Sequence, residues 1–349
     1  MATTTTDESV VETSSEPRQS LGSRVFGFMQ KLGKSLMLPV SVLPVAGILL
    51  GVGQAVPLAM EQQGRPLSGI PKLIFDIMAA AGDPVFSALP LIFAIGVALG
   101  MTKNDGVSAL AASVGYFVLI ATMGTLGKFF GTITLLDPKV PAAGQKAPFT
   151  MFGIPTISTG VFGGIIIGLI AGSLFNRYYR ISLPPYLGFF AGKRFVPIVT
   201  AFAAILTGLI LYVVWPPVQN VISSFGNWAS HGPTAVAVWI YGTVERSLLP
   251  FGLHHIWNAP FFYELGSCVK PDGTQATGWL TCFFYGHPEY GVLGGGFLFK
   301  MFGLPGAALA IWRTAKPENR VRVFSIMISA ALTSFLTGIT EPLEFSFMF

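Results

Sequence analysis

A chain of 349 residues that is 52% hydrophobic and 11% charged, with a mean hydropathy of +0.65, is not built like a soluble domain, where about 25% of residues are charged. The net charge of +5 sits in short loops between apolar spans, so it reads as membrane topology rather than as nucleic-acid binding. The fold class is therefore an all-α polytopic membrane protein, and 41 glycines and 30 phenylalanines suit helices that pack closely in lipid.

Residues 1–20 are polar, rich in Thr and Ser and mildly acidic. They cannot bury enough apolar surface to fold, and they lack the basic start and apolar core of a secretory signal. A disordered cytoplasmic tail is expected, followed by a membrane domain over 21–349. From 21 to 35, Leu21, Val25, Phe28 and Leu32 recur at helical spacing among Arg24, Lys31 and Lys34. This predicts a surface amphipathic helix or the start of the first span, with the N-terminus held in the cytoplasm. The first span is predicted at about Leu36–Val56, with Gly47, Gly51 and Gly53 as a small-residue face.

Residues 73–101 exceed the ~20 that one crossing needs. The Gly82-Asp83-Pro84 break predicts a helix, a turn and a second span ending at Gly100. Spans follow at 107–127, at 159–176 and at Phe195–Trp215, the last stopped by Pro216-Pro217. In the second of these, Gly160, Gly163, Gly164 and Gly168 allow close contact. Lys128–Ser158 reads as an outer loop. Asn176–Arg194, with Arg177, Arg180, Lys193 and Arg194, reads as a cytoplasmic loop of interfacial character.

Beyond residue 230 the count fails. Spans near 234–256, 292–312 and 323–340 would leave the basic loop Arg313–Arg322 outside, against the charge rule. The repair is a piece within 234–311 that re-enters or crosses twice, interrupted at Pro250-Phe251-Gly252 or Gly294-Gly295-Gly296. The chain stops on an apolar stretch at Phe349, so closing transmembrane segments are expected to be missing.

Two regions can carry chemistry. Glu341 lies between the apolar run Phe324–Ile339 and Pro342, which interrupts helix. An acid at membrane depth is a functional candidate; the plainer reading is a helix-end carboxylate among headgroups. Glu245-Arg246 and His254-His255-Ile256-Trp257-Asn258 form the second region. Arg246 and His254, eight apart, can share a helix face. Arginine presents a planar fork to phosphate or carboxylate, and histidine can bond sugar hydroxyls. The structural alternative pairs Glu245 with Arg246 or another basic group and has the histidines cap backbone. Trp239, Tyr241, Phe251, Trp257, Phe261 and Phe262 serve as sugar platforms, belt or core. Cys268 and Cys282 lack metal-site spacing; whether they bond depends on a distance that sequence does not give. No phosphate-binding glycine loop is visible, and no cofactor or metal is expected.

Several runs in order now carry a resemblance: Lys31–Pro44 (KLGKSLMLPVSVLP), Leu91–Gly100 (LIFAIGVALG), Asn104–Leu110 (NDGVSAL), Tyr186–Pro197 (YLGFFAGKRFVP), Pro250–Asn258 (PFGLHHIWN) and Gly338–Phe345 (GITEPLEF). From about residue 25 onward the chain resembles the membrane (IIC) component of glucose permeases of the bacterial phosphoenolpyruvate-dependent phosphotransferase system. The Phe251–Asn258 run resembles the glucose branch more than the N-acetylglucosamine or maltose branches. The resemblance implies import of glucose with phosphorylation at O6 by a phosphocysteine on a IIB domain, itself fed by IIA, HPr and enzyme I. It implies a homodimer in the bacterial inner membrane, with a scaffold, a moving transport domain and re-entrant hairpins. It also implies roles. Glu341 would hold the reactive hydroxyl and act as base, with His254, His255, Asn258 and Thr340 completing the sugar site. Arg246 would meet the phosphoryl group, and Lys193 and Arg194 would dock IIB. Neither cysteine lies in the Cys-x-Thr-Arg-Leu-Arg context of a phosphocysteine, so the IIB domain is expected to be absent and this piece inactive alone. The runner-up is an ion-coupled sugar symporter with Glu341 and a histidine as proton relay. A non-transporting sugar sensor is the third reading.

Overall fold

The computed structural model describes residues 21–133, 149–231, 234–249, 254–259, 261–262, 265–269, 275–338 and 340–348. Its first half is a helical bundle: α1 (Leu21–Val40), α2 (Leu43–Gln62), α3 (Gly69–Ser87), α4 (Leu89–Met101), α5 (Gly106–Phe129), α6 (Gly160–Tyr178) and α7 (Phe195–His231). A small hairpin, β1 (Thr150–Met151) and β2 (Ile154–Pro155), precedes α6. Among the described residues, three helices, α5, α6 and α7, are long and apolar enough to cross a membrane. The bent pairs α1–α2 (45°) and α3–α4 (57°) raise the number to five if each is one broken span.

Two buried clusters hold the bundle. Tyr116, Leu119, Ile120 and Met123 of α5 meet Ile167, Ala171 and Phe175 of α6 and Trp215 of α7. Leu36 and Leu50 meet Phe93, Val97 and Ile165. Between α4 and α6 the backbones nearly touch. A Cβ on Gly164 would lie 1.9 Å from the Pro90 carbonyl oxygen, and one on Gly168 2.6 Å from that of Ala94. The predicted glycine face is thus a packing surface, where each missing methyl brings whole backbones together. On α2, Gly47 and Gly51 receive the ring of Phe284, while Gly53 lies against α3.

Three sequence expectations shift. The break predicted at Gly82-Asp83-Pro84 falls instead at Ala88, and Pro84 lies inside α3. Gly82 is a contact glycine: a Cβ there would sit 2.6 Å from the Leu50 nitrogen. Pro90 opens α4 in its first turn, where a missing N–H costs nothing. Second, α7 runs 37 residues, straight through Pro216 and Pro217. Proline removes a bond without ending a helix whose flanks are held, and Trp215 is buried with its indole N–H donated to the Ser158 carbonyl at 2.8 Å. Third, the boundary between the first two helices lies at Ser41-Val42 rather than at residue 35.

The second half is made of short pieces: α8 (Thr234–Leu248), α9 (His254–Ala259), a hairpin of β3 (Ser267–Val269) and β4 (Gln275–Thr277), α10 (Trp279–Phe284), α11 (Gly295–Leu298), a π turn (Phe299–Gly303), α12 (Leu304–Thr314), α13 (Arg320–Thr337) and α14 (Glu341–Met348). The span predicted at 292–312 is a helix that starts at Gly295 and widens into the π turn on its way to Thr314. With the π turn and α11 before it, α12 continues one helical path from Gly295 to Thr314. It turns back through residues 315–319 onto α13, and Leu304, Ala308, Met327 and Ala330 close that hairpin with Leu343. Pro250-Phe251-Gly252 lies outside the described residues. Cys268 of β3 and Cys282 of α10 are joined in a buried disulfide, Cα atoms 5.7 Å apart, which ties the β3–β4 hairpin to α10.

Candidate functional site

Adjacent residues of α8 organise the polar centre of the second half. Tyr241 and Glu245 are one turn apart and share a face. The Tyr241 hydroxyl donates to Asn258 Oδ1 at 2.8 Å, and Asn258 Nδ2 donates to Glu245 Oε1 at 3.0 Å. The Trp257 indole N–H donates to the Tyr241 carbonyl at 3.2 Å. These three bonds hold α9 against α8, inside a ring cluster of Tyr241, Trp257 and Phe261.

The next residue, Arg246, points elsewhere. Its guanidinium pairs with Glu344 Oε1 and lies 5.4 Å from the ring centroid of Phe299. The other Glu344 oxygen accepts from the Thr340 hydroxyl at 2.9 Å. Glu344 is placed by local chain chemistry. Gly338, at φ +69°, ends α13 with a left-handed residue. The Thr340 carbonyl then accepts from the N–H groups of Leu343 and Glu344, and Pro342 falls in the first turn of α14. This corrects the sequence reading of Pro342: it starts a helix, and glycine ends the one before.

Lys300, in the π turn, completes the group. Its ammonium lies 3.8 Å from Glu245 Oε1 and 5.6 Å from the Phe297 ring centroid. The Ser334 hydroxyl donates to the Lys300 carbonyl at 2.6 Å. Glu245, Arg246, Lys300 and Glu344 thus form two crossed pairs with no net charge. The carboxylates need them: the side chains of Glu245 and Glu344 are 10% and 5% exposed, and a buried charge is tolerated only when paired. Arg246 keeps 37% of its side chain exposed. It borders an open depression of about 600 Å³ lined also by Val238, Trp239, Gly242, Thr243 and Ser247.

Of the residues singled out from sequence, Arg246, Asn258 and Thr340 come together here, linked through Glu245 and Glu344. Asn258 and Thr340 are each engaged by a carboxylate. His254, buried, opens α9, and His255 follows it. Glu341 is the first residue of α14, next to Thr340. Two members escaped sequence reading. Glu344 lies in the GITEPLEF run, three residues after the more conspicuous Glu341. For Lys300 the available signal is that of a lone cation in an apolar run.

Lys193 and Arg194 lie apart, in the turn that enters α7. Arg194 donates to the Phe189 carbonyl at 3.2 Å. Lys193 pairs with Asp105 Oδ2 at 2.5 Å, and Asp105 also caps α5 by accepting from the Val107 N–H at 3.0 Å. The Lys193 hydrogen bond, with the Val107 N–H and the lysine charge, holds the Asp105 carboxyl below the ordinary 3.8. A lowered folded-state value means the pair stabilises above the ordinary value and is lost as pH falls through the folded one. Asp105→Asn keeps the cap and loses the pair. It should cost about 0.2–1 kcal/mol at pH 7 and flatten the acid limb. Thermal unfolding in detergent at pH 7 and below pH 4 measures this; equal acid sensitivity of both proteins would refute it.

The family model "Phosphotransferase system, EIIC" matches residues 33–349. A "PTS system glucoside-specific EIICBA component" of Staphylococcus carnosus (strain TM300) is 47% identical over 344 residues, which cover 95% of this chain and 50% of that relative. The chain spans about half the length of this curated relative.

Proposed function

Because the chain belongs to the phosphotransferase system EIIC family, we propose that it carries a glucosyl sugar, glucose or a glucoside, inward across the bacterial inner membrane for phosphorylation at O6. The donor is a phosphocysteine on a IIB domain, supplied through IIA, HPr and enzyme I. The glucoside-specific name of the Staphylococcus carnosus relative supports the sugar class. The PFGLHHIWN run supports glucose itself. The protein works as a homodimer with its N-terminus in the cytoplasm, and Lys193 and Arg194 contribute to IIB docking.

One observation carries the assignment of the chemistry: Arg246 is fixed by a buried carboxylate yet keeps an exposed side on an open depression. Phosphoryl transfer requires alignment and cationic stabilisation of the equatorial oxygens. In the proposed step the S–P bond of phosphocysteine breaks and an O6–P bond forms. The hydroxyl proton passes to the Glu341 carboxylate, and Arg246 meets the phosphoryl oxygens. His254, His255, Asn258 and Thr340 line the sugar side.

The test is [14C]glucose phosphorylation in membranes holding the chain extended as in its longer relative, with purified phosphorylated IIB added. Sugar phosphate formed only with that donor is the expected result. Uptake of unmodified sugar that stops when the proton gradient is collapsed would overturn the reading in favour of symport.

A further inference from the structure

We propose that Lys300 is a second cation for the transferred phosphoryl group, acting with Arg246. The inference rests on the phosphotransfer reading above. Lys300 sits in a π turn, a local widening of helix that recurs at functional sites. Its side chain is only 15% exposed, and an ammonium so enclosed in an apolar segment is costly. Such a group ordinarily spends its three N–H donors. Among the described residues, no acceptor reaches it within hydrogen-bonding distance. Its nearest carboxylate oxygen is 3.8 Å away, and its other neighbour is the Phe297 ring.

The backbone beneath this loose ammonium is fixed, because the Ser334 hydroxyl bonds the Lys300 carbonyl at 2.6 Å. The turn also faces Arg246: Phe299, the residue before Lys300, lies under the guanidinium. The consecutive residues Glu245-Arg246 of α8 thus meet the consecutive residues Phe299-Lys300 of the turn, and the two cations are not equivalent. Arg246 is tied to Glu344, which is held in turn by Thr340. Lys300 can turn toward an anion without breaking a hydrogen bond.

Charge balance gives it a task. Glu245, Arg246, Lys300 and Glu344 sum to zero, which suits a neutral sugar. An arriving phosphoryl group brings negative charge to a site whose one exposed cation is already neutralised. A lysine is a compact, mobile point charge suited to meeting it. The plainer alternative is that Lys300 only neutralises Glu245.

The full-length permease with phosphorylated IIB separates the two. Lys300→Gln should lower kcat for sugar phosphorylation about 10²-fold or more and leave glucose affinity within a factor of about three. Lys300→Arg should restore most of the rate. Glu245→Gln/Lys300→Gln, which leaves no unpaired charge, should fold and bind glucose yet stay slow. It decides the matter if the single variant fails to fold. A wild-type rate in Lys300→Gln, or recovery in the double variant, overturns the role of Lys300 and leaves the phosphotransfer reading standing. A wild-type protein that forms no sugar phosphate with the donor overturns both.

Discussion

Glu341→Gln in the full-length permease is expected to lower sugar phosphorylation by about 10²–10⁴-fold, the usual contribution of a positioned general base, while sugar binding persists. A sugar hydroxyl is a poor nucleophile at neutral pH, so its proton must leave as the phosphoryl group is attacked. Glutamine keeps the size of glutamate and can still hydrogen-bond the hydroxyl, but it cannot take the proton. The loss should therefore appear in kcat and little in KM, and the variant's rate should lose the acid limb of the wild-type pH profile. Isotope-labelled glucose with phosphorylated IIB measures the rate, and equilibrium binding measures affinity. Full turnover by Glu341→Gln would remove the base role. The same variant tests the symporter: there it should abolish gradient-driven uptake and have no donor-dependent rate to lose.

What sequence disclosed, and what it hid, follows from the range of the interactions. The spans α5, α6 and α7 were legible because each is one continuous apolar run. The glycines of α6 were legible as a contact face, and Gly164 and Gly168 do meet α4. Prolines misled. Pro216 and Pro217 stop an isolated helix, yet α7 continues, with Trp215 anchored at their edge. Pro84 suggested a break, but the chain bends at Ala88 instead. The family motifs brought Asn258 and Thr340 into view, and Arg246 stood out as a cation in or beside an apolar stretch. The pairing that joins them was not local. Arg246 and Glu344 are 98 residues apart, and nothing in either neighbourhood says which carboxylate the arginine takes. Of the pairings open to Glu245, with Arg246 or with another basic group, the structure forms the second, with Lys300. The disulfide likewise needed a distance that spacing alone does not supply.

Separating the members of the Arg246–Glu344 pair should have unequal costs. Removing one partner of a fully buried pair costs about 3–5 kcal/mol, because the survivor is left charged and unpaired. The survivors differ here. Arg246→Gln leaves a carboxylate that is 5% exposed, with the Thr340 hydroxyl as its remaining donor among the described residues, so that cost should lie near the full range. Glu344→Gln leaves an arginine that is 37% exposed; water can reach it, and its loss should be smaller. Arg246→Gln/Glu344→Gln removes both charges and should regain most of the thermal stability in detergent. Phosphorylation should not return with it. If Arg246 meets the phosphoryl group, then Glu344 contributes to turnover by aiming Arg246, and neutralising both leaves a folded, sugar-binding protein with no guanidinium to stabilise transfer. Rates normalised to glucose-binding sites make the comparison independent of how much protein folds. A double variant that recovers turnover with stability would make the pair a structural clasp and take Arg246 out of the chemistry. One that stays slow while binding sugar normally would keep Arg246 in the working site.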